Sequence, residues 1–345
     1  MIPIQNIYYM LSYAFQVLNE QGYKNIATEQ FHNTAELMAA ILEKGIAIQL
    51  KRGLGKEYIP QTEALSSLRG KIDIAESIKT QSMLRKQLIC TYDEFSVNSI
   101  MNQIIKSTVE LLLRSNISKQ RKKNLRKLMV YFSEVDFIDS YTVNWNVQYN
   151  RNNQTYRMLI SICYLVVKGL LQTQSDGSTK LMDFLDEQRM CRLYEKFILE
   201  YYRREFKNQI TANASQIPWQ LDNEENSMLS VMQSDIMLQS GEKVLIIDAK
   251  YYEHSTQVQF DKHTLHSGNL YQIFTYVKNK EYELREKDHT VSGMLLYAKT
   301  DEEIYPNNVY QMSGNQIAVR TLDLNLPFDE IASQLNTIAK THFDL

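Results

Sequence analysis

The stretch QSDIMLQSGEKVLIIDAKYY, residues 233–252, decides how this chain is read. It runs from an acid at Asp235 through an apolar segment, a glycine turn and a second apolar segment to Asp248-Ala249-Lys250. Two strand-forming runs around Ser240-Gly241 read as a β-hairpin, because glycine accepts the positive φ that a tight turn needs. If Gln239 pairs with Glu242, Asp235 falls opposite Ile246 and Asp248 becomes its diagonal neighbour on one face. Diagonal neighbours lie roughly 7–8 Å apart at Cα, near enough for two carboxylates to share one ion. Side chains alternate along a strand, so Lys250 shares that face. Val244-Leu245-Ile246-Ile247 is continuously apolar, as in a central strand covered on both sides. Charges placed at the end of such a strand need a partner or an ion. An arbitrary D-x-K triplet is ordinarily a surface ion pair. The hairpin, the upstream acid and the buried strand together make this one read as a metal-dependent phosphodiesterase site.

The expected ion is Mg²⁺, which prefers oxygen ligands and keeps several waters, so Asp235, Asp248 and the Ala249 carbonyl suffice to hold it. Such an ion polarises a phosphate and lowers the pKa of a bound water. Lys250 would orient that water or offset developing negative charge. Glu195, in the helical segment CRLYEKFILEYY, is a third candidate acid, although alone it reads as a solvated helix glutamate. Downstream, Leu270, Ile273, Phe274 and Val277 form an apolar helix stripe. Gln272 and Tyr276, one turn apart on another side, are placed to reach a phosphate or position the lysine.

The rest of the chain sets limits. Its 345 residues are enough for two domains, each with a core. A formal charge of −2 argues against a protein that coats DNA electrostatically, so nucleic-acid contacts must be local patches. The 22 tyrosines suit half-wet clefts and interfaces. Cys90, Cys163 and Cys191 lack metal or redox spacing and read as buried small hydrophobes in a reducing cytosol. The apolar run Met158–Leu171 is too short to span a bilayer and includes Lys168, and no signal peptide opens the sequence, so a cytoplasmic protein is expected.

Periodicity predicts helices over 4–18, 34–50, 98–114 and 157–171, with strands and turns over 51–74. The polar stretch QTQSDGSTK at 172–180 reads as a linker, placing a domain boundary at 175/176. Beyond it come a helix (183–207), strands (229–239 and 243–252), a helix (269–280), a strand (291–299), short strands between 309 and 322 and a last helix (328–340). That order predicts an α/β fold with a mixed sheet. The run SKQRKKNLRK at 118–127 is strongly basic; a solvated helix face is its ordinary reading, and contact with DNA phosphate or an acidic partner its alternative. GLGK at 53–56 lacks the GxxxxGK[ST] frame of a phosphate-binding loop, so the chain itself is not expected to bind nucleotide.

Asp235, Asp248-Ala249-Lys250, Glu195, Gln272 and Tyr276 together resemble the PD-(D/E)xK nuclease core, with Ser234 standing where a proline is usual. IPIQNIYYMLSYAF (2–15), LSSLRGKIDI (65–74) and YDEFSVNSIMNQIIK (92–106) are similar to McrC subunits of McrBC modification-dependent restriction systems. The resemblance covers nearly the whole chain. It implies an N-terminal mixed helical/β domain (1–175) that binds and stimulates a McrB-like AAA+ GTPase hexamer, followed by a PD-(D/E)xK endonuclease domain (176–345) with a central mixed sheet flanked by helices. It implies double-stranded DNA carrying methylated cytosine as substrate, Mg²⁺ as cofactor, Asp235, Asp248 and Lys250 at the centre, and Glu195 and Gln272 beside them. Double-strand cutting by a one-site nuclease implies a dimer within the assembly. Arg52, Arg69 and Lys71 are the exposed-looking candidates for stimulating the GTPase. Two other readings stand beside this one: a non-catalytic adaptor of an AAA+ NTPase with a nuclease-like DNA-binding domain, and a stand-alone repair or resolvase nuclease.

Overall fold

The computed structural model describes residues 2–19, 23, 26, 29, 31–139, 142–151, 153–175, 187–222, 228–252, 257–259, 262–299 and 305–345. The chain divides into two compact units, residues 28–184 and a unit made of 1–27 with 185–345. The mid-chain division falls at 184/185 rather than at the expected 175/176, and the start of the chain also changes sides. The opening helix α1 (Ile4–Ala14) belongs with the C-terminal unit. Its aromatic side chains explain why. Tyr9 stacks on Phe328 with centroids 4.5 Å apart, Tyr13 packs against Phe197, Tyr201 and Phe328, and the Asn6 amide donates to the Leu324 and Leu326 carbonyls at 2.8 Å. Of the expected linker, 172–175 continue a helix, and 176–180 lie outside the described residues.

In the unit spanning 28–184, α2 (Thr34–Arg52) starts at Asn33, whose side chain accepts from the Glu36 N–H at 2.8 Å, and ends at Gly53 with φ +90°. GLGK is therefore a helix end. Next, β1 (Glu57–Leu65), β2 (Lys71–Asp73), α3 (Ile74–Lys79) and β3 (Leu88–Ser96) build an antiparallel sheet in the order β1-β3-β2. The central strand, β3, is one that periodicity did not reveal. Its nine-residue ladder with β1 runs from Glu57↔Ser96 to Leu65↔Leu88, and Pro60 is tolerated because β1 is an edge. Gly70, at φ +69°, lets the chain pass so close to β3 that a Cβ would sit 2.3 Å from the Thr91 carbonyl. Helices α4 (Ile100–Arg114), α5 (Lys119–Met129) and α6 (Tyr156–Ser175) complete the unit.

The other unit continues from α1 with α7 (Glu187–Glu205), β4 (Thr211–Asn213), β5 (Gln216–Ile217), β6 (Met232–Gln233), β7 (Ile236–Ser240) and β8 (Lys243–Lys250). Then come β9 (Gln257–Gln259), β10 (Lys262–Thr264), α8 (Ser267–Leu284), β11 (Thr290–Ala298), β12 (Asn308–Met312), β13 (Asn315–Leu322) and α9 (Phe328–Phe343). Six strands form one mixed sheet, ordered β12-β13-β11-β8-β7-β4. The three central strands, β8, β11 and β13, are parallel, and β4, β7 and β12 run antiparallel to their neighbours. A parallel pair needs a crossover, and α8 supplies it between β8 and β11. Val244, Ile246 and Leu295 pack with Ile273 and Val277 of α8 in one buried cluster. Gly293 permits that approach, since a Cβ there would stand 2.8 Å from Ile273 and 2.9 Å from Val277. Helices α7 and α9 are joined through the Tyr202 hydroxyl, which donates to the Leu335 carbonyl at 3.0 Å. The expected α/β architecture, a mixed sheet flanked by helices, is what forms. Among the described residues no helix is long and apolar enough to cross a membrane.

Candidate active site

The site grows from a break in the hairpin. The expected single strand 229–239 is two strands: β6 pairs with β5, and β7 pairs with β8. The chain changes partner at Ser234-Asp235, because the Ser234 N–H and hydroxyl both bond the Ser215 carbonyl, at 3.0 and 3.1 Å. The turn also differs from expectation. Ser240 pairs with Lys243, so the loop is Gly241-Glu242, with Gly241 at φ +57°. Glycine takes the first loop position, the one where a type II′ turn demands it. The register is thus two residues away from the expected one, with Ile236 opposite Ile247. An even shift keeps every side chain on its face. It also makes Asp235 the direct rather than the diagonal neighbour of Asp248.

Beyond Ile236 the ladder has no strand partner for Ala249, and Asp235 replaces one: its Oδ2 accepts from the Ala249 N–H at 2.9 Å. The N–H and C=O of a strand residue face the same side, so the Ala249 carbonyl points to the same gap. There it meets the Cys191 thiol at 3.9 Å. Asp248, 1% exposed, sits beside them, and neither of its oxygens has a hydrogen-bond partner. Lys250 Nζ approaches Asp248 Oδ2 to 2.9 Å, close enough for an ion pair but without hydrogen-bond alignment. Burial pushes the Asp248 carboxyl up to about 7, Lys250 pulls it down and Asp235 adds to the rise. Lys250 is held charged against its burial chiefly by Asp248, and it stays protonated. Buried carboxylate oxygens with no donors are a cost unless a cation takes them.

The other expected residues arrive from two helices. On α8, Gln272 Oε1 accepts from Lys250 Nζ at 3.3 Å, and Gln272 Nε2 donates to the Tyr276 hydroxyl at 2.9 Å. Of the two tasks considered for this pair, positioning the lysine is the one the geometry displays. On α7, Glu195 is not the solvated residue its helix suggested. Burial, and then the Asp235 charge, raise its pKa, and the Cys191 thiol lies 3.1 Å from its Oε1. Cys191 itself corrects an expectation. Cys90 and Cys163 are buried as expected, but Cys191 is half-buried at the site, its thiol pushed up to about 12 mainly by burial and so a donor at neutral pH. The signal was the Cys191/Glu195 spacing of four on one helix. Sequence reading also missed a brace behind the strand ends. Tyr252 donates to Asn269 Oδ1 at 3.3 Å, and Asn269 Nδ2 donates to the Tyr297 hydroxyl at 2.9 Å; Tyr297 pairs with Lys250 in register.

Among the described residues no three or more His, Cys, Asp or Glu side chains form a ready metal cage. What is present is a pair of carboxylates, one of which, Asp248, is buried without a hydrogen bond, and the Ala249 backbone carbonyl beside them. That donor set fits Mg²⁺, which needs few protein ligands, and does not fit zinc. Arg52, Arg69 and Lys71 are exposed in the other unit, with the Arg69 guanidinium 4.1 Å from the Tyr92 ring centroid. A separate cavity of about 910 Å³, with Lys243, His289, Arg320 and His342 in its lining, includes none of the expected residues.

The family model described as McrBC 5-methylcytosine restriction system component matches residues 5–298. The type IV methyl-directed restriction enzyme EcoKMcrBC of Escherichia coli (strain K12) is 29% identical over 342 residues, 97% of this chain and 96% of that protein. A refined half-complex of Thermococcus gammatolerans McrB AAA+ hexamers with bound McrC is similar at 18% identity and a TM-score of 0.49, over 97% of this chain and 76% of that one. The cryo-EM structure of the Thermococcus gammatolerans McrBC complex gives 20% identity and a TM-score of 0.42 over 59% of each chain.

Proposed function

This chain belongs to the family of McrBC 5-methylcytosine restriction system components, and from that premise we propose that it is the DNA-cutting subunit of such a system, a Mg²⁺-dependent endonuclease of the PD-(D/E)xK type. One observation carries the reading: Asp248, buried with no hydrogen bond to either oxygen and ion-paired with Lys250 on one of them, beside Asp235 at the open end of β8. The ion would be held by Asp235, Asp248 and the Ala249 carbonyl. Bound there, Mg²⁺ polarises a phosphate and lowers the pKa of a water. The chain's own groups do the rest. Lys250, kept protonated by Asp248 and oriented by Gln272, is a fixed positive charge for the negative charge that develops on the phosphate. Glu195, with its raised pKa, is a proton acceptor that burial brings towards neutrality. Tyr276 anchors Gln272, and through it the lysine.

The substrate of this proposal is double-stranded DNA with methylated cytosine, and the working protein is a cytoplasmic dimer within a larger assembly. Its partner is a McrB-like AAA+ GTPase hexamer, as in the Thermococcus assembly, where McrC is bound to McrB AAA+ hexamers. The unit spanning 28–184 would engage that ring and stimulate its GTPase. Leu68, Ile74, Ile78 and Leu84 are exposed in the same segment as Arg69 and Lys71, and exposed apolar groups of this kind mark interfaces. Methylated plasmid mixed with this chain, a McrB-like partner, GTP and Mg²⁺ should be cut, and Lys250→Ala should abolish the cutting. Undiminished cutting by Lys250→Ala refutes the site.

A further inference from the structure

Helix α5 presents a face of positive charge that nothing described in its own unit neutralises. Four exposed cations, Lys119, Lys123, Arg126 and Lys127, fall at spacings of four, three and one. At 3.6 residues per turn they share an arc of roughly 100°, and at 1.5 Å per residue they span about 12 Å. None of the four has an ion pair among the described residues. The acids nearby are spent elsewhere. Arg121, on the opposite side of the helix, takes Glu29 at 2.7 Å, Glu43 at 2.9 Å and Glu36 at 3.3 Å.

The helix is firmly seated on that inner side. Leu125 is fully buried, Asn124 donates to Glu43 at 2.9 Å, and Glu36 accepts from both the N–H and the hydroxyl of the cap residue Ser118. The outer face, by contrast, works against helix stability. The first turn carries no acid to meet the helix dipole, and the like-charged pairs Lys119/Lys123 and Lys123/Lys127 repel at a spacing of four. Local rules broken without local compensation are expected where function takes precedence.

We propose that this face of α5 is a contact for the phosphate backbone of double-stranded DNA, holding the substrate without reading its sequence. The inference rests on the DNA-cutting reading above. A duplex is favoured over an acidic protein because the exposed side chains of α5 itself are all lysine, arginine or glutamine, and the exposed apolar Val130 and Tyr131 follow only beyond its last residue. Phosphate contacts position a duplex and carry no sequence information. With a formal net charge of −2 for the whole chain, the attraction has to come from such a patch.

The test is the salt dependence of binding. The full chain is titrated into a fluorescently labelled, unmethylated duplex of about 30 base pairs, in EDTA so that no cutting occurs. Replacing Lys119, Lys123, Arg126 and Lys127 together by Gln should weaken binding at low salt and flatten the slope of log K against log salt by about three to four, since each lost phosphate contact removes roughly 0.9. Restoring the charges as four arginines should restore the slope. The Gln variant should melt no lower than the wild type, because it loses only repulsion. An unchanged slope, or a wild type that does not bind the duplex, overturns the proposal. So does a variant that binds DNA normally but no longer stimulates the partner GTPase, which would make α5 a protein contact. Binding in EDTA is independent of the metal site, so failure of the nuclease assignment would leave this result readable, and failure here would leave cutting by the Asp248 site intact.

Discussion

At the scale of the residue, Asp248 is the group on which the site turns. Its pKa, about 7, lies above the usual carboxylate range because burial outweighs the attraction of Lys250. The folded protein therefore holds a proton that the unfolded chain has released. The Asp248 contribution to metal-free stability falls as pH rises from about 4 to about 7 and levels off above. Relative to Asp248→Asn, the metal-free wild type should lose stability across that window in denaturant titrations; parallel pH profiles would contradict the assignment. Mg²⁺ should reverse the deficit, raising the melting temperature of the wild type and leaving that of Asp248→Asn unmoved. Gln272 acts through Lys250, so Gln272→Ala should lower kcat by roughly tenfold, the weight of about one hydrogen bond, with KM for DNA and melting temperature held. A change confined to KM would place Gln272 on the DNA instead. The acids and the lysine were legible because charges ending an apolar strand violate its pattern. Cys191 was not, because a half-buried thiol and a buried one look alike in a sequence.

At the scale of the element, the hairpin shows what a pattern can and cannot specify. The alternation of β7 and the apolar run of β8 placed Asp235, Asp248 and Lys250 on one face, and that survived a two-residue error in register because the side-chain period is two. The partner change at Ser234-Asp235 was hidden, since it depends on Ser215, nineteen residues before Ser234. β3 was missed for a related reason: LICTYDEFS has no clean alternation, and its strand is made by the ladders on both sides. Packing between elements yields a prediction at Gly293. A methyl group there would collide with Ile273 and Val277 of α8, so Gly293→Ala should destabilise the protein by about 1–3 kcal/mol. Urea unfolding measures this, and a neutral substitution would mean that α8 rides further from the sheet.

At the scale of the whole molecule, the two units are not consecutive halves of the chain. The polar stretch at 172–180 suggested a boundary at 175/176, and the units divide at 184/185; α1 looked like part of the N-terminal unit because nothing local shows that Tyr9 and Tyr13 pack on Phe197, Tyr201 and Phe328. A fragment beginning at residue 185 should therefore expose those aromatics and melt well below the same fragment supplied with residues 1–27; equal melting would show that α1 is dispensable. The division of labour between the units can be read in one assembly assay, with Asp248→Ala assembled with a McrB-like partner, GTP, Mg²⁺ and methylated DNA. The account predicts no double-strand cleavage and GTPase stimulation equal to that of the wild type. Cleavage at the wild-type rate would contradict it.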